Sequence, residues 1–472
     1  MATHTDNPLE AFVWTPQPEA ARFVDQLVES FCAACPAAAV LARRLLDETG
    51  TRLIDWIDHL GLAESAANER ELQELGFEPT AIDGHRAWQH PLALFPAIHF
   101  YRQAEAGMGL RVESVADFLV AQGLESVEIE GSPLAAVRKA KIFSSPRAEL
   151  WVIERHGGSD SPHDGDGGHA GGHHAGQVDA ATVQAVLEHG EAFRRRARHF
   201  DTEEQGFDHA ELLIERAIGE LGVNRACDLF FAAEREYWQR RNRAGQVQKG
   251  RQDALGLGWA NHDHHTYRSS REHFTRLIGL FEKLGFQCRE RFYGGREAGW
   301  GAQVIEQPAC GVVIFADVDL SPGEVTGDFA HQPLAPRDQL GTVGLWCRLH
   351  GEAFLAAGMH HLECRFDFDR AREQLLNVEV ESMKPFTDFA FLRQAFTRAD
   401  SWPVEARRID SALAEKLISP EQAERFRREG ALGSHLEILE RNQGYKGFNQ
   451  TGISEIIRET DPRTAGRVKL GS

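Results

Sequence analysis

The sequence predicts an α+β fold built from paired βαβββ units that form a curved sheet around a metal site, with helical segments flanking them. Three observations carry this prediction. A strand–helix–strand–strand–strand order occurs twice, near residues 90–157 and 257–320. Long stretches with apolar residues at three- and four-residue steps surround both copies. A polar glycine- and histidine-rich stretch separates the first copy from the helices that follow it.

Residues 1–85 read as an N-terminal helical segment, because "ARFVDQLVESFCA" and "RRLLDETGTRLIDWIDHLGL" have helical period. The first unit, 86–157, opens with the apolar run "LALFPAIHFY", which fits a buried strand. The helix "RVESVADFLVAQGL" follows, then the short strands "SVEIEG", "VRKAKIFS" and "ELWVIERH". Residues 158–177 contain "GGSDSPHDGDGGHAGGHHAGQ" and read as a flexible loop, since Gly, His and Asp bury no core. Residues 178–256 return to helix. The second unit, 257–370, has the strand "GWANHDHHTY", the amphipathic helix "SREHFTRLIGLFEKLGF" and the strands "QCRERFYG", "GAQVIEQP" and "GVVIFADVDL". "GTVGLWCRLHGEAFLAAGMHHLECRFDFD" extends it as a long hairpin. Residues 371–472 read as a mainly helical C-terminal segment closing the site. It includes "SPEQAERFRREG", with Ser in the cap position and Pro at the first helical position.

A net charge of -19 argues against nucleic acid as a partner, since phosphate binding needs a basic surface. No run approaches the ~20 apolar residues that span a bilayer, and "MATHTDNPLEAF" lacks the pattern of a secretory signal. A cytoplasmic protein that does not bind membranes is expected. Seven scattered cysteines form no disulfide framework, and the lone C-x-x-C of Cys32 and Cys35 reads as small helical residues.

The chemistry concentrates in "WANHDHHTYRSS". Alternation along a strand points His262 and His264 one way, and Asp263 and His265 the other. Two histidines and a carboxylate with open positions are the donor set of non-haem Fe(II) centres, although other divalent metals accept the same donors. The carboxylate candidate is Asp317 in "VVIFADVDL"; Asp319, just before "LSPGE", reads as the strand emerging into solvent. His99 ends the first strand of the first unit as His264 does that of the second. Arg102 follows His99 by three residues and Arg268 follows His264 by four, each placed to grip a carboxylate with two parallel hydrogen bonds. Asp263 is a supporting residue or a solvated strand position.

The paired units resemble the vicinal oxygen chelate superfamily, and more specifically the 2-oxoadipate dioxygenase/decarboxylase (hydroxyglutarate synthase) family. "DHHTYRSSREHFTRLIGLFEKLGF" is similar to that family's second metal-histidine segment, and "AIHFYR" to its first, with spacing one residue shorter. "HGEAFLAAGMHHLECRFDF" resembles a later strand pair. "GFNQTGISEI" falls where the family binds the 2-oxo acid carboxylate, which brings in Thr451. The family's third ligand is a glutamate, where this chain offers Asp317, with Glu154 of "LWVIERHG" as the rival.

The resemblance implies an Fe(II) oxygenase that decarboxylates and hydroxylates a 2-oxo acid resembling 2-oxoadipate, using O₂. His99, His264 and Asp317 would hold the metal, and Arg102, Arg268 and Thr451 the substrate. An isomerase or ring-cleaving dioxygenase on the same scaffold is the alternative, as is a binding protein with a decayed metal site.

Overall fold

Four strand–helix repeats, not two, build the sheets. The computed structural model describes residues 14–82, 84–101, 105–157, 178–296, 298–449 and 460–463. The glycine- and histidine-rich stretch 158–177 lies outside the described residues.

The chain enters through helices α1 (Pro18–Ala34) and α2 (Pro36–Arg44). The first repeat follows as β1 (Ile57–Ala63), α3 (Ala66–Glu74), β2 (Glu78–Ile82), β3 (His85–Gln89) and β4 (Ala97–Tyr101). The second is β5 (Ala106–Arg111), α4 (Val115–Ala121), β6 (Val137–Ser144) and β7 (Ala148–Arg155). Together they form one seven-stranded sheet, in the order β2-β3-β4-β1-β5-β7-β6. "FPAIHFY" is therefore the last strand of a unit beginning at Ile57, not the first strand of one beginning near 90. The segment "LIDWIDHL" reads as helix by its period; Leu53–Trp56 do form a short helical turn, and β1 starts at Ile57. Its strand character is decided by parallel pairing to β4 and antiparallel pairing to β5.

Helices α5 (Ala180–Arg195), α6 (Glu203–Leu221), α7 (Val223–Gln239) and α8 (Arg243–Ala254) occupy the stretch expected to be helical. The third repeat also follows expectation: β8 (His262–Arg268), α9 (Phe274–Lys283), β9 (Gln287–Tyr293), β10 (Trp300–Gln307) and β11 (Val312–Asp319).

The expected hairpin after Pro336 is instead helix α10 (Thr342–His350) and then β12 (His361–Arg365). β12 opens a fourth repeat: α11 (Phe368–Leu376), β13 (Thr387–Phe389), β14 (Leu392–Phe396) and, after an excursion, β17 (His435–Arg441). The excursion holds the small ribbon β15 (Ser401–Trp402) and β16 (Ala431–Leu432), with α12 (Ala406–Ala414) and α13 (Pro420–Glu429) between them. α13 starts with the expected cap: Ser419 accepts from the Gln422 amide and Pro420 takes the first turn.

The third and fourth repeats form the second sheet, β13-β14-β17-β12-β8-β11-β10-β9, joined by antiparallel pairing of β8 with β12. β1 and β5 join the first pair in the same way. Each sheet packs its own apolar core, one around Trp56, Trp88 and Phe118, the other around Phe231, Tyr267 and Trp346. No single described helix is long and apolar enough to cross a membrane.

Candidate metal centre

Side chains at alternate positions of β8, β12 and β17 converge in the second sheet. Parallel register sets His361 beside His435 and Glu363 beside Glu437, so all four project to one face. Antiparallel register sets His361 against Thr266 of β8, two residues from His264. His264, His361, Glu363 and Glu437 each offer a ligand atom, all within 4.8 Å of one another, and all four residues are buried. His264 Nδ1 touches Glu363. His361 Nε2 lies 3.3 Å from Glu437 Oε2 and 2.7 Å from Thr266 Oγ1. Gln394 Nε2 donates to Glu437 Oε1 at 2.9 Å, fixing that carboxylate's orientation.

The electrostatics suit a cation. Burial pushes Glu437 up to about 7, against the hydrogen bonds from Glu363 and Gln394 that lower it. Glu363 is raised too, by burial and then by Glu437 beside it. Burial holds His264 down at about 4 and His361 well below its ordinary value, so both imidazoles stay neutral, the form that ligates. Glu363 Oε2 is buried and accepts no hydrogen bond of normal geometry among the described residues. Two adjacent buried carboxyl groups disfavour each other's charge until a divalent ion neutralises it, and with two neutral imidazoles this donor set fits Fe(II), Mn(II) or Zn(II).

Asp263 supports the cluster from behind. Its Oδ1 is 3.3 Å from His264 Nδ1, and it accepts from Arg441 Nη2 at 3.1 Å and Arg365 Nε at 3.1 Å. Burial alone would raise its pKa; Arg441, His264 and Arg365 outweigh that and hold it well below the usual carboxylate range. Of the two sequence readings of Asp263, the supporting one describes this geometry.

Of the expected triad, only His264 lies in the cluster. His99 sits in the first sheet, on β4, stacked on His59 with ring centroids 4.1 Å apart. Asp317 pairs with Arg268 across β11 and β8 and belongs to no described metal-ligating group. Its pKa is pushed up to about 8 by burial, only partly offset by Arg268. Its Oδ1 is buried without a hydrogen-bond partner among the described residues.

The rival Glu154 is a structural carboxylate, accepting from the Val115 amide at 2.8 Å and from Arg138 at 3.0 Å. His262 does not share the face of His264: its ring packs 5.1 Å from His265, and its Nδ1 lies 2.8 Å from the Trp259 carbonyl. A register shift between Leu362 and Cys364 on the neighbouring strand breaks the simple alternation there. Asp319 is buried, not solvated; it accepts from the Gly341, Val343 and Gly344 amides at the start of α10. Arg268 is buried. Its Nε and Nη1 have no hydrogen-bond partner among the described residues, and its guanidinium carbon lies 5.5 Å from the Trp346 ring centre. Arg102 and Thr451 lie outside the described residues.

The first sheet repeats the frame of this centre without its ligands. Asp58 and His59 occupy on β1 the places of Asp263 and His264, and Arg155 grips Asp58 at 2.6 Å as Arg441 grips Asp263. Gly61 pairs with Gly107 as Thr266 pairs with His361. Gly109 pairs with Trp151 as Glu363 pairs with Glu437. Gly107, Gly109 and Trp151 thus stand where the second sheet has His361, Glu363 and Glu437. A Cβ on Gly107 would lie 2.4 Å from the Tyr101 ring, so Tyr101 fills the space of a ligand. Among the described residues His99 belongs to no group that could hold a metal ion.

Sequence reasoning missed His361, Glu363 and Glu437. Their signal was the tripeptide His-Leu-Glu, present at both 361–363 and 435–437.

Repeats of this order, joined edge to edge, build an α+β fold whose second sheet carries on one face a His/Glu cluster that could hold a metal ion. No family model and no curated protein matches the sequence. Several solved structures resemble parts of the chain. A 4-hydroxymandelate synthase variant from Streptomyces coelicolor is 11% identical over 86% of this chain and 99% of its own, with a TM-score of 0.24. A Mn(II)-bound glyoxalase from Novosphingobium aromaticivorans is 9% identical over 84% and 86%, with a TM-score of 0.18. Methylmalonyl-CoA epimerase from Mycobacterium tuberculosis is 14% identical over 38% and 87%, with a TM-score of 0.21.

Proposed function

We propose that this protein is a cytoplasmic non-haem Fe(II) oxygenase acting on a 2-oxo acid resembling 2-oxoadipate. The observation that carries the reading is the buried convergence of two neutral histidines with paired carboxylates, His264 among them sharing β8 with the buried Arg268, whose Nε and Nη1 have no hydrogen-bond partner among the described residues. His264, His361 and Glu437 are the metal ligands, with Glu437 oriented by Gln394. Iron, when bound, supplies the redox chemistry by which O₂ and the acid R–CH₂–CO–COOH become R–CHOH–COOH and CO₂.

The protein's residues do the rest. Arg268 receives a substrate carboxylate on its free nitrogens. Asp317, kept protonated by burial, leaves that positive charge unneutralised and has a proton to donate to a substrate oxygen. Phe315 and Phe448, with rings 4.8 and 5.1 Å from that of His264, keep water from the centre.

Oxygen consumption and CO₂ release with a panel of 2-oxo acids of increasing chain length test the reading. No oxygen uptake by iron-reconstituted protein with any member would overturn it. Arg268→Lys should keep the charge but lose the fork, weakening binding of the acid by roughly 1–3 kcal/mol with metal content unchanged. A lowered melting temperature with unchanged affinity would make Arg268 a structural residue instead.

One observation favours a second reading, a metal-dependent isomerase. Glu363 offers a second carboxylate, and four protein ligands would leave two octahedral positions, enough to chelate substrate but none for O₂. Glu363→Gln separates the two. If Glu363 only steadies His264, metal affinity should fall about 10–100-fold, as for supporting residues, and oxygen uptake should persist at saturating iron. Complete loss of metal would favour the four-ligand centre.

A further inference from the structure

A second place in the molecule is built for a ligand. A cavity of about 310 Å³ lies where the two sheets meet, and none of the four metal-cluster residues lines it. Both repeat pairs contribute arginines from equivalent positions. Arg111 and Arg155 end β5 and β7, and Arg365 and Arg441 end β12 and β17. With Arg52, five arginines face only two aspartates, Asp55 and Asp58.

Most of these charges are paired. Arg155 bonds Asp58 at 2.6 and 2.9 Å, Arg52 bonds Asp55 at 2.7 Å, and Arg441 is spent on Asp263. Arg111 has no hydrogen bond or ion pair among the described residues, and burial lowers its pKa. Arg365 gives only its Nε to Asp263; its terminal nitrogens have no bond among the described residues, and its side chain is 34% exposed. Burying the Arg111 guanidinium without a hydrogen-bonded carboxylate is costly, and Arg365 adds a second positive charge to the same cavity. An oxyanion that takes parallel hydrogen bonds from both removes the two costs together.

We propose that this cavity binds a small polyvalent oxyanion, a tricarboxylate or a phosphate, between Arg111 and Arg365. The site is independent of the proposed reaction. It is also connected to the metal centre, because Arg365 holds Asp263 and Asp263 touches His264.

The test is calorimetric titration of the full-length protein, as isolated and at low ionic strength, with inorganic phosphate and separately with tricarballylate. Wild type should bind one equivalent of at least one probe, and the probe that binds identifies the anion class. Arg111→Gln should weaken that binding by roughly tenfold or more, while Arg268→Gln should leave it within about twofold. Binding of neither probe, an unchanged affinity in Arg111→Gln, or a loss carried by Arg268→Gln would each overturn the proposal. If Arg111→Gln does not fold, Arg365→Gln is read in its place against the same thresholds.

Discussion

Glu437→Gln should lose tight metal binding while its metal-free form melts no lower than wild type. The two halves of this result have one cause. In the metal-free protein Glu437 and Glu363 are buried side by side, and burial pushes Glu437 up to about 7. Part of the folding free energy is spent holding them together. An amide of the same shape still accepts from Gln394, but has no charge to bury and none to give a cation. In wild type a divalent metal at a thousandfold excess over its Kd should add about 4 kcal/mol to stability; in the variant that increment should vanish. Metal analysis after anaerobic reconstitution and melting curves with and without metal are the measurements. A variant that keeps stoichiometric metal would remove Glu437 from the centre. One that melts far lower without metal would make the cluster a structural network rather than a binding site. His361→Ala should likewise lose the metal, since it removes the second imidazole.

Asp317→Asn should stabilise the metal-free protein increasingly as pH rises from about 4 to 8. The folded state holds the Asp317 proton up to about pH 8 because burial outweighs the nearby Arg268, whereas an ordinary aspartate ionises near 3.8. Below pH 4 both states carry the proton, so Asp317 adds no pH dependence. Between 4 and 8 only the unfolded state releases it, so stability falls with rising pH; above 8 the penalty is constant. The asparagine variant lacks this slope, and its advantage over wild type should grow by roughly 3–5 kcal/mol across the window. Urea unfolding of both proteins at pH 5 and pH 8 reads it directly. An advantage that does not change with pH would show that Asp317 is ionised in the fold, and Arg268 would then be neutralised rather than free for substrate.

Local patterns were enough to place the helices of 178–256, the third repeat from His262 to Asp319 and His264 as a candidate ligand. Amphipathic period and strand alternation are properties of neighbouring residues, so they are legible in a single chain. The cap at Ser419 and Pro420 was legible for the same reason. The identity of the partners of His264 was not. "FPAIHFY" reads as a first strand and "LIDWIDHL" as helix, and only pairing decides that β1 opens the unit and β4 closes it. That choice moves His99 out of the position equivalent to His264 and puts His59 there. "HHLEC" and "HLEIL" each read as ordinary strand or helix when isolated. They become a candidate metal centre only because β12 and β17 run parallel in register, bringing residues 74 positions apart into one His/Glu cluster. The charge state of Asp317 was equally hidden, since it depends on how completely the surrounding strands exclude water. Local sequence therefore determined most of the helices, the third repeat and one candidate ligand of the site. Register and burial decided the other members of the cluster, because both arise from contacts between segments that are distant along the chain.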